Sequence, residues 1–171
     1  MTAPGGDDAL ARFNDAPPAE AAELAFGWLA APAFAMVLTA GRPYPTVGAL
    51  VGKAAELAQA MSWRHASAAL AAHPRIGDRV EGDSASAAAS RREQSAMTDA
   101  DDAVRAAIAE GNRAYEERFG HVFLIRAAGR TPEEVLAELQ RRLGNTPEAE
   151  QAEVRTQLTE ITALRVRQAM G

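Results

Sequence analysis

The chain has 171 residues, 47% of them hydrophobic, and a formal net charge of -5. This length predicts one domain with room for a sizeable core, and the composition is typical of a globular protein rather than a disordered one. The negative charge argues against nucleic-acid binding. Cysteine is absent, which excludes disulfides, thiolate metal sites and a cysteine nucleophile.

Targeting signals are also missing. No stretch reaches the ~18 apolar residues that a membrane span needs, and the N-terminus lacks the basic and apolar regions of a signal peptide. The last residues, Gln168 to Gly171, are not a peroxisomal address. The sequence therefore predicts a soluble cytoplasmic protein with no membrane partner.

The first part of the chain predicts a loose tail and then helices. Residues 1–8 are expected to form the tail, and residues 9–171 one helical domain. Apolar residues at helical spacing, proline and glycine breaks and the cap residue Thr46 set the helix limits. The predicted helices cover residues 18–29, 32–40, 46–63 and 64–72, the last ending at His73 because Pro74 disfavours α geometry in the residue before it.

The second part continues the helical pattern after a loop at residues 74–83. Ser84 or Ser86 is expected to cap the next helix, which carries Ser90–Gln94, and Asp99 to cap a longer helix that Gly120 ends. An apolar run follows at residues 122–125, either extended or buried. Cap motifs then predict helices over residues 131–143 and 146–168. The fold class is all-α, a compact single-domain bundle of seven or eight helices.

Charged residues along these helices are of mixed sign. Glu133-Glu134 precede Arg141-Arg142, and Glu116-Glu117 precede Arg118. We interpret such mixtures as solvated helix surface rather than as a binding stripe.

His73 is the first candidate for chemistry. Imidazole titrates near neutral pH, so it can give or take a proton in a transition state. Pro74 fixes His73 at a helix end, beside a loop whose Gly77 allows close backbone approach to a ligand. The structural alternative is a histidine that only hydrogen-bonds the last carbonyls of its helix.

A second candidate is a polar helix face. Ser90, Glu93 and Gln94 are spaced three and four residues apart, so they share one side of a helix. A hydroxyl, a carboxylate and an amide there could bind a small polar molecule. The alternative is an ordinary solvated face, with Arg91 and Arg92 beside it.

Three further residues have two interpretations each. Arg165 follows an apolar stripe in the last helix, so it can either extend to water or hold a carboxylate through two hydrogen bonds. Asn112 and Tyr115 could be hydrogen-bonding residues at the edge of the core or walls of a site. From the residues alone, the chain is a helical domain with a possible acid/base pocket.

The order and spacing of these pieces resemble one family. The segments are Ala72-His73-Pro74-Arg75-Ile76-Gly77-Asp78, Ser90-x-x-Glu93-Gln94, Asn112-x-x-Tyr115-x-x-x-Phe119-Gly120 and Leu164-Arg165. Together they resemble the 2-oxo-4-hydroxy-4-carboxy-5-ureidoimidazoline (OHCU) decarboxylase family from about residue 13 to the C-terminus. The His-Pro and Ser-x-x-Glu-Gln pair is specific, and the other segments support it.

Two segments depart from the family pattern. Pro32-Ala33-Phe34 stands where the family usually has Ser-Pro-Trp. Phe119-Gly120-His121-Val122-Phe123 stands for Phe-Gly-Phe-Pro-Phe, in a segment that lines the pocket in the family. The second change bears on pocket shape rather than on the acid/base groups.

The resemblance implies an all-α enzyme, often a homodimer, that needs no metal or organic cofactor and completes the conversion of urate to allantoin. It implies OHCU as substrate and no nucleic-acid partner. His73 would be the main acid/base, Glu93 would hold ring or ureido nitrogens and orient His73, and Arg165 would bind a substrate oxygen. The implied lining residues are Pro74, Ser90, Gln94, His121, Val122, Phe123, Leu124 and Ile125, the last five through backbone groups.

Two other functions are compatible with the sequence. The change at His121-Val122 could indicate a decarboxylase of a related ureido or imidazoline acid. A helical binding module without catalysis would instead have His73, Glu93 and Arg165 apart in space.

Overall fold

The computed structural model describes residues 6–78, 85–95 and 101–171, which form nine α-helices and no β-strand. None of the helices in these ranges is long and apolar enough to cross a bilayer. The helices are α1 (Gly6–Asp15), α2 (Pro18–Trp28), α3 (Pro32–Ala40), α4 (Val47–Gln59), α5 (Trp63–Leu70), α6 (Ala85–Glu93), α7 (Asp102–Phe119), α8 (Pro132–Leu143) and α9 (Pro147–Met170). The all-α prediction is confirmed.

The prediction of seven or eight helices is too low, because the described residues form nine and helix α1 is not among the predicted ones. Its ten residues carry only two large apolar side chains, Leu10 and Phe13, which are both buried. Two such positions three residues apart are too short a pattern to predict a helix from periodicity. The other predicted helices are present, and the predicted domain limits stay a prediction.

Capping residues explain where several helices begin and end. The Thr46 hydroxyl accepts a hydrogen bond from Ala49 N at 3.0 Å, and Thr131 forms a capping box with Glu134. Gly120 ends α7 in the left-handed conformation, with φ +75°. These three predictions are confirmed.

Other predicted boundaries are wrong by a few residues. Helix α4 ends at Gln59 rather than at residue 63, and α5 ends at Leu70 rather than Ala72. Asp101, not Asp99, caps α7, because its carboxylate accepts from Val104 N at 2.8 Å. Ser86 lies inside α6, whereas Ser84 and Asp99 lie outside the described residues.

The chain divides into two compact units, and α9 contributes to both. The first unit holds residues up to Ala69 together with Leu158–Gly171. In it α1 packs on α4, α2 on α3, and α3 on α4. The Phe13 ring lies 5.0 Å from the Trp28 ring, which ties α1 to α2 through buried aromatic contact.

The second unit is Leu70–Gln157, in which α7 packs against α8. Gly111 makes this close approach possible, because a Cβ there would lie 2.6 Å from Cδ2 of the buried Leu139. The core of this unit joins residues of α7, α8 and two connecting segments: Ile76, Ile108, Tyr115, Phe123, Ile125, Ala127, Val135 and Leu139. The segment that follows His73 and residues 121–125, both predicted to belong to the site, are therefore anchored in one core.

Candidate active site

His73 is buried at the end of a turn that follows α5. Its backbone N–H donates to Leu70 O at 2.9 Å, so the chain makes one more turn before Pro74 stops helical geometry. The side chain is only 9% exposed. A histidine this buried is shielded from bulk water, and Pro74 restricts the backbone that carries it.

The residues after His73 form a tight turn, and residues 73–78 are called the 73–78 loop below. Asp78 N donates to Arg75 O at 3.1 Å, which closes the turn. Gly77 has φ +86°, a conformation that glycine adopts without steric cost. The glycine predicted to allow close backbone approach is thus also required by the turn itself.

Helix α7 holds this loop by two adjacent contacts. The Arg75 guanidinium donates to both carboxylate oxygens of Glu116, at 2.5 and 2.7 Å, and Asn112 Nδ2 donates to Ile76 O at 3.0 Å. Asn112 and Glu116 are four residues apart and so share one face of α7. The hydrogen bonds from Arg75 lower the pKa of the Glu116 carboxyl, which keeps the pair charged at neutral pH.

The end of α6 meets the same loop. Gln94 Oε1 accepts a hydrogen bond from Gly77 N at 3.1 Å. Ser90 is 3% exposed and Glu93 is 8% exposed, although Arg91 and Arg92 between them face solvent. The Ser-x-x-Glu face is therefore not an ordinary solvated face, and the Gln94–Gly77 bond joins its helix to the loop that carries His73.

Residues 121–125 form a non-helical segment after α7, called the 121–125 segment below. Phe123, Leu124 and Ile125 are buried, whereas His121 and Val122 are partly exposed. Among the described residues, none accepts a hydrogen bond from the backbone N–H groups of residues 123–125. Because backbone N–H groups of buried residues nearly always have a partner, these amides are candidate donors to a bound molecule.

The side chains of this segment serve the core instead. Phe123 packs edge-on against Tyr115, with the ring centroids 5.3 Å apart, and Ile125 belongs to the same cluster. The His121 ring lies 5.5 Å from the Tyr115 ring. The side chains of Phe123 and Ile125 are thus committed to core packing.

Sequence reasoning missed a charged cluster beneath this segment. Arg142 and Glu150 are both fully buried, and they form an ion pair to which Arg142 Nε contributes at 2.8 Å. The Tyr115 hydroxyl also donates to Glu150, and Asn145 Nδ2 does so at 2.9 Å. Burial, and then the hydrogen bond to Glu150, raise the pKa of Tyr115 well above its usual value.

The interpretation of Arg142 as solvated surface is therefore wrong. A signal in the sequence could have shown this, because Val135, Leu139 and Arg142 are spaced four and three residues apart and so share the buried face of α8. A charge on an apolar face needs a buried partner, and Glu150 is that partner.

Arg165 lies in the first unit, on the part of α9 that follows Leu158. Its side chain is 4% exposed. Extension of the guanidinium to water, one of the two interpretations of this residue, is thereby excluded. Of its two neighbours in the chain, Val166 is buried and Leu164 is partly exposed.

A buried imidazole, a buried carboxylate on a joined helix and a run of backbone donors suit an enzyme that moves protons on a small polar substrate. The OHCU decarboxylase family model matches residues 14–167, and the chain belongs to that family. The predicted family is confirmed, and the protein is accordingly a decarboxylase, a carboxy-lyase.

Similar proteins agree with this assignment. A 2-oxo-4-hydroxy-4-carboxy-5-ureidoimidazoline decarboxylase of Amia calva is 31% identical over 139 residues, which are 79% of this chain and 78% of that protein. A crystal structure of OHCU decarboxylase in the presence of (S)-allantoin has a TM-score of 0.73 at 24% identity, over 85% of this chain and 96% of that one. An (S)-allantoin synthase structure has a TM-score of 0.69 at 21% identity, over 96% of this chain and 53% of that one. The two structures share the fold.

Proposed function

We propose that the protein decarboxylates OHCU to (S)-allantoin in urate degradation, by acid/base catalysis without a cofactor. The observation that carries this proposal is the family match, because residues 14–167 include every candidate site residue from His73 to Arg165. The buried positions of His73, Glu93 and Arg165 support it, because ionisable side chains are rarely buried without a specific role.

The substrate supplies its own electron sink. Its carboxylate and hydroxyl share one ring carbon, beside a C=N carbon that bears the ureido group. When the C–C bond to CO₂ breaks, its electron pair forms a C=C bond and the C=N pair moves to nitrogen, which takes a proton. The resulting enol loses its hydroxyl proton to become a carbonyl, while the ureido-bearing carbon takes a proton on one face. The enzyme has only to orient the ring, stabilise charge and deliver that proton.

His73 is proposed as the main acid/base, acting on the hydroxyl or on the carbon that becomes the stereocentre. Glu93 is proposed to hold ring or ureido N–H groups and to orient His73, because an ionised carboxylate is purely an acceptor. Both lie on elements that the Gln94–Gly77 hydrogen bond joins. Proton delivery from one side accounts for a single enantiomer.

Arg165 is proposed to bind a carbonyl or carboxylate oxygen of the substrate through its planar pair of donors. Pro74, Ser90 and Gln94 are proposed to line the pocket. The backbone of the 121–125 segment completes the lining. The support for that last role is that residues 123–125 are buried and that their backbone N–H groups have no acceptor among the described residues.

Substrate selectivity tests the proposal. OHCU would be generated in place from urate with urate oxidase and 5-hydroxyisourate hydrolase, and CO₂ release by this protein would be compared with release from stable ureido and imidazoline acids. We expect a strong preference for OHCU. Faster turnover of another acid would identify that acid as the substrate, and no turnover of any acid would favour a binding module.

A homodimer in the cytoplasm is part of the proposal. Sedimentation velocity of the purified chain tests the assembly, with a species of twice the 18.1 kDa chain mass as the expected result. A single species at the chain mass over the working concentration range would contradict it.

Loosening the 73–78 loop should slow catalysis without unfolding the protein. In Arg75→Gln the bidentate contact to Glu116 is lost, so we expect kcat/KM for OHCU to fall up to ~10²-fold through misplacement of His73. Both side chains of the pair are partly exposed, so the free energy of unfolding should fall by less than about 1 kcal/mol. Steady-state kinetics and urea unfolding measure the two effects.

The matched control is Arg113→Gln, which breaks an exposed ion pair with Glu110 on the same helix but touches no site element. Its kcat/KM should equal that of the wild type. The pH dependence of the free energy of unfolding is a second check on this ion pair. Because Arg75 lowers the pKa of Glu116 below its ordinary value of 4.5, the pair stabilises the fold above pH 4.5, and this stabilisation is lost as the pH falls through the lowered pKa. Equal kinetics in Arg75→Gln and Arg113→Gln would show that this contact does not position the loop.

A further inference from the structure

Arg142 divides its donors between two targets. Its Nε and Nη2 atoms donate to Glu150, whereas Nη1 donates to the backbone carbonyl of Leu124 at 2.6 Å. The guanidinium carbon lies 4.6 Å from the centroid of the Phe123 ring. One buried side chain thus holds the 121–125 segment both by a backbone hydrogen bond and by contact with a ring.

The same residue is tied to the helix that carries the loop contacts. The Tyr115 hydroxyl shares the Glu150 carboxylate with Arg142, and the Tyr115 ring packs against Phe123. Tyr115 lies on α7 between Asn112 and Glu116, which hold the 73–78 loop. Helix α7 therefore contacts both the loop that carries His73 and the support of the 121–125 segment.

Stability alone does not explain a buried ion pair here. Removing two charges from water is costly, and apolar residues of the same volume often stabilise a protein equally well or better. What apolar residues cannot do is fix a carbonyl in one direction. The bond to Leu124 O does so, and it lies next to the N–H groups of residues 123–125 that find no acceptor among the described residues.

We propose that Arg142 is a positioning residue of the decarboxylase, which fixes the 121–125 segment so that its backbone N–H groups meet the substrate. This inference rests on the proposed function. It predicts that Arg142 affects substrate binding through Leu124 and Phe123, without contact between its own side chain and the substrate.

Two variants separate positioning from folding. In Arg142→Lys the charge opposite Glu150 remains, but a lysine lacks the planar fork that serves two targets at once. In the apolar triple variant, Tyr115→Phe with Arg142→Met and Glu150→Leu, no charge or hydroxyl of the cluster remains to be buried unpaired. Rates are compared per amount of folded protein, measured by far-ultraviolet circular dichroism.

We expect both variants to fold and to lose about 10- to 100-fold in kcat/KM, chiefly through a raised KM. A merely structural role would lower the folded fraction and leave the KM of the folded protein unchanged. Arg141→Lys is the control, because Arg141 is half-exposed and pairs with Glu138 and Glu153; its KM should not move.

The outcomes distinguish the two proposals. If the wild type decarboxylates OHCU and either folded variant keeps the wild-type KM and kcat, the positioning role is wrong while the function stands. If the wild type itself does not turn over OHCU, the proposed function is wrong, and the positioning role fails with it.

Discussion

His73→Ala is expected to lower kcat/KM for OHCU by about 10²- to 10⁴-fold, the range that a positioned acid/base group contributes. The physical reason is that no positioned group then exchanges a proton with the hydroxyl or with the carbon that becomes the stereocentre, and a buried site admits water poorly. Stopped-flow mixing with freshly generated OHCU measures the rate. Racemic allantoin should accumulate in place of the single enantiomer.

The fold of this variant should be retained, because the backbone bond from His73 N to Leu70 O does not involve the side chain. His73→Gln, which nearly preserves volume, guards against a cavity effect and should be equally slow. His65→Ala is the matched control, since His65 is an exposed histidine on α5. Near wild-type rates in both His73 variants would show that His73 is not the acid/base group.

Glu150→Gln is expected to lower the free energy of unfolding by about 3–5 kcal/mol, because it leaves the charge of Arg142 buried without its partner. Arg142 and Glu150 are both fully buried, so water cannot replace the lost carboxylate. Urea unfolding at neutral pH, followed by circular dichroism, gives the difference by linear extrapolation.

Glu153→Gln is the control for this loss. Glu153 lies one turn further along α9 and pairs with the half-exposed Arg141 at 2.7 Å. An exposed pair contributes at most about 1 kcal/mol, so the two losses should differ several-fold. The apolar triple variant should recover most of the stability that Glu150→Gln loses. Equal losses in the two Gln variants would show that Glu150 does not compensate a buried charge.

Local sequence signals predicted the helices well. Thr46 and Thr131 were recognised as caps because a side-chain oxygen can satisfy N–H groups of the first turn wherever the helix packs. The end of α5 lies two residues before the predicted Ala72, because Pro74 sets only the last residue that can be helical and the chain leaves the helix at Leu70. Helix α1 was missed because two apolar residues make too weak a pattern.

The site was predictable only where the sequence carries a motif. His73, Glu93 and Gln94 stand out as short polar patterns in an Ala-rich chain, and the structure adds the Gln94–Gly77 bond between their elements. Pairing at long sequence separation cannot be deduced from one sequence. The pairing of Arg142 with Glu150 is therefore not predictable, although the buried position of Arg142 follows from its spacing to Leu139.

Circular dichroism during urate breakdown tests the central claim most directly. OHCU would be generated in place from urate with urate oxidase and 5-hydroxyisourate hydrolase, and this protein would then be added. We predict the rapid appearance of a stable optically active allantoin signal, which His73→Ala fails to produce. Decay of OHCU no faster than without the protein, ending in racemic allantoin, would contradict the proposed decarboxylation.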